Sequence, residues 1–308
     1  MKYDLCIIGG GPAAAAAGVY AARKKLNTLV VAKEFGGQSI VSAEIYNWIG
    51  SKAISGAQLA KDLKEHLYSY EGELMTVVEG EAVTDVSGTA PTYTVTTDKG
   101  ATYEAAAVLV AAGANRRKLP VSGAEQLEHK GLTYCASCDG PLFSGMDVAV
   151  VGGGNAGFES AAQLLAYTKS VTLLEYLPDY KADAVTVEKV LAHENMTGLN
   201  NVEVTEVVGD KMVSGLKYKD RESGEEKELA VTGVFVEIGV VPSTDFVKDL
   251  VELDDMGHIK VDARTQRAST TGIWAAGDCT DGLYAQNNIA VGDAIKALED
   301  IYVYLKAS

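Results

Sequence analysis

The sequence predicts an α/β protein made of two copies of one strand–turn–helix–strand unit. Each copy is followed by a small antiparallel meander, and the second copy is inserted into the first. Three observations predict this. A glycine-rich segment recurs at an offset of 143 residues, each copy lies between a short apolar run and an alanine-rich stretch, and 308 residues suit two domains.

The elements follow in order. Asp4-Leu-Cys-Ile-Ile-Gly9-Gly-Gly-Pro-Ala-Ala14 matches Asp147-Val-Ala-Val-Val-Gly152-Gly-Gly-Asn-Ala-Gly157. The spacing predicts helices over Ala13–Ala22 and Ala156–Leu165, then second strands at Thr28–Val31 and Val171–Leu174. Between the first unit and its meander, Leu59, Leu63 and Leu67 lie at i, i+4 and i+8, a buried helix face within Gln58–Tyr70. Residues 80–103 read as strands broken by turns at Ser87-Gly88 and Lys99-Gly100, closing on the apolar run Ala107–Gly113. Residues 202–232 repeat the design, with turns at Gly209-Asp210 and Glu222-Ser-Gly224, and close on Val234–Gly239. Beyond residue 245, Gly257–Asp262 and Gly272–Asp278 read as strands and Ile289–Leu305 as the last helix. The expected organisation is a discontinuous domain, 1–115 plus 245–308, with a second domain at 116–244.

Each repeated unit has the Rossmann-like βαβ pattern that binds dinucleotides. In Gly152-x-Gly154-x-x-Gly157 the first glycine permits a tight turn and the second lets the backbone approach a pyrophosphate. The third lets helix and strand pack closely; in the first copy Ala14 stands there. The helix N-terminus then offers amide donors and a positive dipole end to phosphate. About 20 residues past the glycines, a carboxylate accepts from a ribose 2′-hydroxyl. Glu175 fits that place in the second copy, and Tyr176-Leu-Pro-Asp-Tyr180 bring no arginine or lysine to clamp a 2′-phosphate, so NADH is expected over NADPH. In the first copy the offset lands on Ala32, with Glu34 two residues late.

Composition narrows the partners. There are 27 basic and 42 acidic residues, a net charge of −15, with 47% hydrophobic and 22% charged residues, which excludes a disordered, collagenous or coiled-coil chain. The negative balance argues against nucleic-acid and anionic-membrane partners, although backbone amides in a cleft can still bind phosphate. Leu5-Cys6-Ile7-Ile8 is too short for a leader, no run of about 18 uncharged apolar residues occurs, and a cytoplasmic location is expected.

Four cysteines in a chain of this length are not a disulfide scaffold. Cys135-Ala-Ser-Cys138 can close a small redox disulfide or contribute to a zinc site. Zinc wants further ligands at short spacing, and Cys6, Cys279, His66, His129, His193 and His258 are scattered, so no metal is expected. Asp139 is a candidate proton donor if buried, or a turn acid. Cys6 and Cys279 read as small core residues.

Together Gly-Gly-Gly-Pro-Ala13, Gly36-Gly-Gln38, Cys135-x-x-Cys138-Asp139-Gly140, Gly152-Gly-Gly-Asn155 and Ala276-Gly-Asp278 resemble the low-molecular-weight thioredoxin reductases over essentially the whole chain. The stretches Cys138–Phe143, Val171–Glu175, Lys181–Asp183 and Ala276–Thr280 resemble more closely the reductase portion of the flavoprotein component of alkyl hydroperoxide reductase, without its thioredoxin-like domain. The resemblance implies FAD at Gly9, Gly11, Pro12, Ala13, Glu34, Gly37, Gln38, Asn47, Gly113, Gly277, Asp278 and Gln286. It implies a nicotinamide nucleotide at Gly152, Gly154, Asn155, Ala156, Glu175 and Gly239. Cys138 would be the flavin-proximal sulfur, Cys135 the sulfur that attacks the partner, and Asp139 the acid. Departures are Ala112 in the first strand end and Ala285 and Asn287 around Gln286.

The function expected is an FAD-dependent NAD(P)H:protein-disulfide reductase. It would act on a separate thioredoxin-, glutaredoxin- or peroxiredoxin-system protein, and the resemblance implies a homodimer. The alternatives are a related flavoprotein fed by a ferredoxin-like donor, a dithiol oxidase, or a non-catalytic sensor whose cysteine pair is a redox switch. The intact Gly152–Gly157 pattern and Glu175 favour nicotinamide use.

Overall fold

The computed structural model describes residues 2–42 and 45–306. The chain opens with β1 (Lys2–Ile8), α1 (Pro12–Arg23), β2 (Thr28–Ala32), α2 (Gly56–Tyr68) and β3 (Met75–Glu79). A meander follows: β4 (Val83–Thr89), β5 (Thr92–Thr97) and β6 (Thr102–Val110), then the short β7 (Ala114–Arg116). The middle holds β8 (Leu132–Thr133), α3 (Ala136–Asp139), β9 (Asp147–Val151), α4 (Asn155–Leu164), β10 (Ser170–Leu174), α5 (Ala184–Leu191) and β11 (Met196–Leu199). Last come β12 (Val202–Gly209), β13 (Val213–Asp220), β14 (Glu226–Leu229), β15 (Gly233–Val236), β16 (Val240–Pro242), β17 (Ile273–Ala275) and α6 (Asn287–Lys306). Two compact units result: Met1–Val41, Trp48–Asn115 and Val241–Ser308 form the first, Ser42–Asn47 and Arg116–Val240 the second.

In the first unit the strands run β3-β2-β1-β6-β5-β4. The long β6 pairs β5 antiparallel over its first half and β17 parallel over its second. Strands buried on both faces are why β2 reads as continuous Thr28-Leu-Val-Val-Ala32. On one face Ala13, Ala14, Ala17 and Ala21 of α1 share a core with Ala290, Ala294 and Ala297 of α6. Small side chains bring the two helix backbones close. Ser55 caps α2 by accepting from Gln58 N (3.1 Å), which starts that helix two residues before the expected Gln58. Leu59 and Leu67 are buried, while Leu63 between them is only half-buried.

The second unit repeats the plan with its parts separated. Five parallel strands in the order β11-β10-β9-β15-β8 form one sheet, and β12-β13-β14 form a distinct antiparallel sheet. One core holds Val207, Val213 and Leu216 of the meander with Ala149, Leu174 and Val234. The other packs Phe158, Ala161 and Leu164 of α4 on Val148, Val150 and Leu173.

Two local expectations fail. Ser87-Gly88 lies inside β4, and the chain turns at Ala90-Pro91, where proline has no N–H to give the ladder. Gly257–Asp262 is not a strand: Ile259 alone forms bridges, to Leu253 and Thr280. Within it His258 N donates to Asp254 Oδ1, Ile259 N to Cys279 O, Lys260 N to Glu252 O and Val261 N to Asp281 Oδ1, so successive amides go to different segments and no ladder forms. No described helix is long and apolar enough to cross a membrane.

The repeat supplies an internal stability test. A Cβ on Gly157 would lie 1.9 Å from the Gly152 carbonyl oxygen. Gly157→Ala is expected to cost ~2 kcal/mol or more in urea unfolding. Ala14→Gly, at the matching place in α1, is expected to cost about 1 kcal/mol.

Candidate functional site

The first unit assembles its candidate residues around the start of α1. Gly9 has φ +134°, and a Cβ there would sit 2.1 Å from the Ala111 carbonyl oxygen. Gly11 caps α1 with no side chain over the helix end, and Pro12 takes the first helical position, where its missing N–H costs nothing. The chain then returns past this turn: Gly36 N donates to Gly10 O (2.9 Å), and a Cβ on Gly37 would come 3.3 Å from Gly11 Cα. The exposed Glu34 contributes its backbone, which lies against Gly10.

Two further segments close on the same place. A Cβ on Gly277 would meet Ala290 of α6 at 3.1 Å and Ala13 of α1 at 3.7 Å, so the starts of both helices flank Gly277-Asp278. Gln286 O accepts from Ala290 N (2.9 Å), closing the first turn of α6. Ser39 donates to Asn287 Oδ1 (3.0 Å), and Gln38 reaches Asn115 (3.4 Å), two residues past Gly113. Gly113 has φ +65° and nothing within 4 Å of where a Cβ would stand. Asn47, expected with this set, belongs instead to the 42–47 stretch of the second compact unit. A bare helix N-terminus, glycine backbones in close approach and open space beside Gly113 suit the pyrophosphate of a dinucleotide such as FAD.

The second unit builds the same turn on β9 and α4. A Cβ on Gly152, φ +116°, would lie 2.3 Å from the Glu237 carbonyl oxygen, while Gly154 caps α4 with nothing within 4 Å of its side-chain position. Gly153 N donates to Glu175 Oε2, and a side chain at 153 would collide with Glu175 and Tyr180. The other Glu175 oxygen accepts from Leu177 N (2.7 Å), which fixes this buried carboxylate at the end of β10. Asn155 Oδ1 accepts from Asp183 N (2.8 Å), and Asp183 in turn caps α5, so the start of α4 is tied to that of α5 through Asn155, with Ala156 following in its first turn. Gly239 accepts from Arg117 N (3.0 Å) just after β15. This donor set fits a second dinucleotide.

Cys135 and Cys138 form a disulfide in the second unit. Cys135 caps the one-turn α3, and its sulfur accepts from Cys138 N (3.2 Å). A Cβ on Gly140 would lie 2.1 Å from the Tyr167 hydroxyl, so any larger residue there has to displace the Tyr167 ring. Asp139 accepts from Thr133 Oγ1, on β8. Burial lifts the Asp139 carboxyl above the ordinary carboxylate range, against the opposing pull of Thr133, His129 and Arg116. The remaining cysteines are buried and free; burial pushes Cys6 up to about 12 and Cys279 up to about 11, which leaves both inert as thiols. Among the described residues no group of three or more His, Cys, Asp or Glu is placed to hold a metal.

The sequence reading missed Glu237 and Thr133. Glu237 follows β15 and is nearly buried, accepting from Ser160 Oγ (2.8 Å) and Arg116 Nη1 (3.3 Å), and its carboxyl is raised mainly by burial. One signal was there to find: an acid inside the apolar run Val234-Phe-Val-Glu237-Ile-Gly239. Thr133 carried none.

A pH measurement checks the Asp139 assignment. A step needing the protonated carboxyl slows as pH rises through the raised Asp139 pKa. Thr133→Val removes a donor that favours the charged form, so this falling limb is expected at higher pH, and Thr133→Ser restores it. Asp139→Asn is expected to slow opening of the Cys135–Cys138 disulfide by dithiothreitol, at equal dithiothreitol thiolate concentration, by roughly 10²-fold and to abolish the limb.

The comparisons with known proteins agree with this geometry. The chain is 40% identical over 303 residues to a protein of Bacillus subtilis (strain 168) named NADH dehydrogenase, covering 98% of this chain and 58% of that one. It is 41% identical over 303 residues to the F component of the alkyl hydroperoxide reductase of Staphylococcus aureus (strain MRSA252), covering 98% and 59%. The chain thus spans about three-fifths of the length of these curated relatives. The crystal structure of thioredoxin reductase from Streptococcus pyogenes MGAS5005 superimposes with a TM-score of 0.90 at 33% identity, covering 100% of this chain and 99% of that one. Residues 3–294 match the pyridine nucleotide-disulphide oxidoreductase family, and the chain belongs to it.

Proposed function

We propose that the protein is an FAD-dependent NAD(P)H:protein-disulfide reductase, with NADH the preferred donor. The first unit serves as the FAD-binding domain and the second as the nicotinamide-nucleotide domain carrying the dithiol. One observation supports this above the others: a closed Cys135–Cys138 disulfide, with a partly buried acid next in the chain, shares a compact unit with an open dinucleotide turn.

FAD, held at Gly9–Ala13, Gly37-Gln38, Gly113 and Gly277-Asp278, would supply the two-electron link between nucleotide and disulfide. The residues of the chain do the rest. Gly154 and the first turn of α4 bind pyrophosphate, and Glu175 accepts from the ribose hydroxyls and repels a 2′-phosphate. Two electrons open the Cys135–Cys138 bond, and the Asp139 carboxyl supplies a proton to the thiolate released. The Cys135 thiolate then attacks a partner disulfide, forming a mixed disulfide and expelling one partner thiolate, which takes up a proton. Attack of Cys138 on Cys135 Sγ re-forms the internal disulfide and releases the second partner thiol. A thioredoxin-, glutaredoxin- or peroxiredoxin-type protein presents a disulfide of the kind required.

Anaerobic titration of the flavin-loaded protein tests the donor: NADH is expected to bleach the flavin at lower concentration than NADPH. Bleaching by neither would overturn the reading and favour a ferredoxin-like donor or a dithiol oxidase. Cys138→Ser is expected to keep the bleaching by NADH and lose all NADH-dependent disulfide turnover; unchanged turnover would remove the dithiol from the pathway.

A further inference from the structure

The fold brings an arginine to the ribose end of the second unit that the linear order conceals. Glu175 is fixed by two backbone donors. In an adenosine nucleotide the base is attached next to the 2′-hydroxyl. A ribose that reaches Glu175 therefore sets its adenine over the residues that follow, of which Tyr176 is the first and is 51% exposed.

Arg221, in the turn after β13, lies across the Tyr176 ring with its guanidinium carbon 3.9 Å from the ring centroid. Its Nη1 donates to the Tyr176 carbonyl (2.9 Å) and to Asn201 Oδ1 (3.2 Å). The backbone beneath is pinned as well: Asn201 N donates to Leu177 O (2.9 Å), Val202 N to Glu175 O (3.0 Å) and Arg221 N to Asn201 O (3.0 Å). Asn200 also donates to Pro178 O. An exposed tyrosine at a loop start ordinarily swings among rotamers. This one is held through its ring face and through its own carbonyl.

A guanidinium in this place has two uses, clamping a 2′-phosphate or supporting an aromatic ring. Its face is laid on Tyr176, one amino group already serves two acceptors, and Glu175 repels a phosphate. We propose that Arg221 is a positioning residue that fixes Tyr176 as the stacking surface for the adenine of an unphosphorylated adenine dinucleotide. The proposal rests on the functional reading above and adds the residues that select the base end of its donor.

The test is calorimetric binding of ADP-ribose and 2′-phospho-ADP-ribose to the oxidised, flavin-loaded protein, which involves no hydride transfer. Tyr176→Ala is expected to weaken ADP-ribose about tenfold and Tyr176→Phe hardly at all. Arg221→Ala is expected to weaken it roughly three- to fivefold, with Arg221→Lys intermediate. The double variant Tyr176→Ala/Arg221→Ala should lose no more than Tyr176→Ala alone, because Arg221 acts through the ring. Arg221→Ala should weaken both ligands by the same factor. Unchanged binding in Arg221→Ala, additive losses in the double variant, or a loss confined to the 2′-phosphorylated ligand would each overturn the proposal while leaving the functional reading intact. Wild-type protein that binds neither ligand would overturn both.

Discussion

Both units depend on main chain meeting main chain with no side chain between. Positions 9 and 152 each set an α-carbon against the carbonyl oxygen of a neighbouring strand end, Ala111 in one unit and Glu237 in the other. A methyl group at either point would lie well inside contact distance, so the turn exists only with glycine and only with a positive φ. From it follow the direction of α1 and α4, their bare N-termini, and the dinucleotide sites those termini offer. The chain is the same device built twice, with different fittings around it.

The fittings explain why the second unit carries the proposed chemistry. Glu175 is held by amides of the glycine turn and of its own loop, so the acid proposed to read the ribose is part of the turn it would serve. Glu237 binds Ser160 of α4 and Arg116, and the Arg116 charge also bears on Asp139 beside the disulfide. Burial raises both acids, while Arg116 restrains both and Thr133 restrains Asp139. The result is a carboxyl next to Cys138 that holds its proton more tightly than an exposed aspartate does, which suits the proposed proton donor to sulfur.

Most of this was legible in the sequence where a spacing rule applied. The glycine patterns, the alanine-rich helices, Glu175 and the cysteine pair each lie at short, fixed distances along the chain. The residues that escaped are those brought in from elsewhere. Arg221 is 45 positions from Tyr176, Arg116 is 121 from Glu237, and Thr133 acts from a strand of only two residues. No periodicity marks such partners, because sheet pairing places them. The failed strand at 257–262 has a related cause: its pattern was strand-like, but its amides are shared out among Asp254, Cys279, Glu252 and Asp281, and no single strand pairs with it.

The central claim is that electrons from a reduced nicotinamide reach the Cys135–Cys138 bond. Counting thiols in the flavin-loaded protein, denatured only after the nucleotide has acted, tests it most directly, because Cys6 and Cys279 supply a constant background. Before nucleotide is added, two thiols per chain should react with a maleimide; after excess NADH without oxygen, four should. A count that stays at two with both NADH and NADPH would contradict the account.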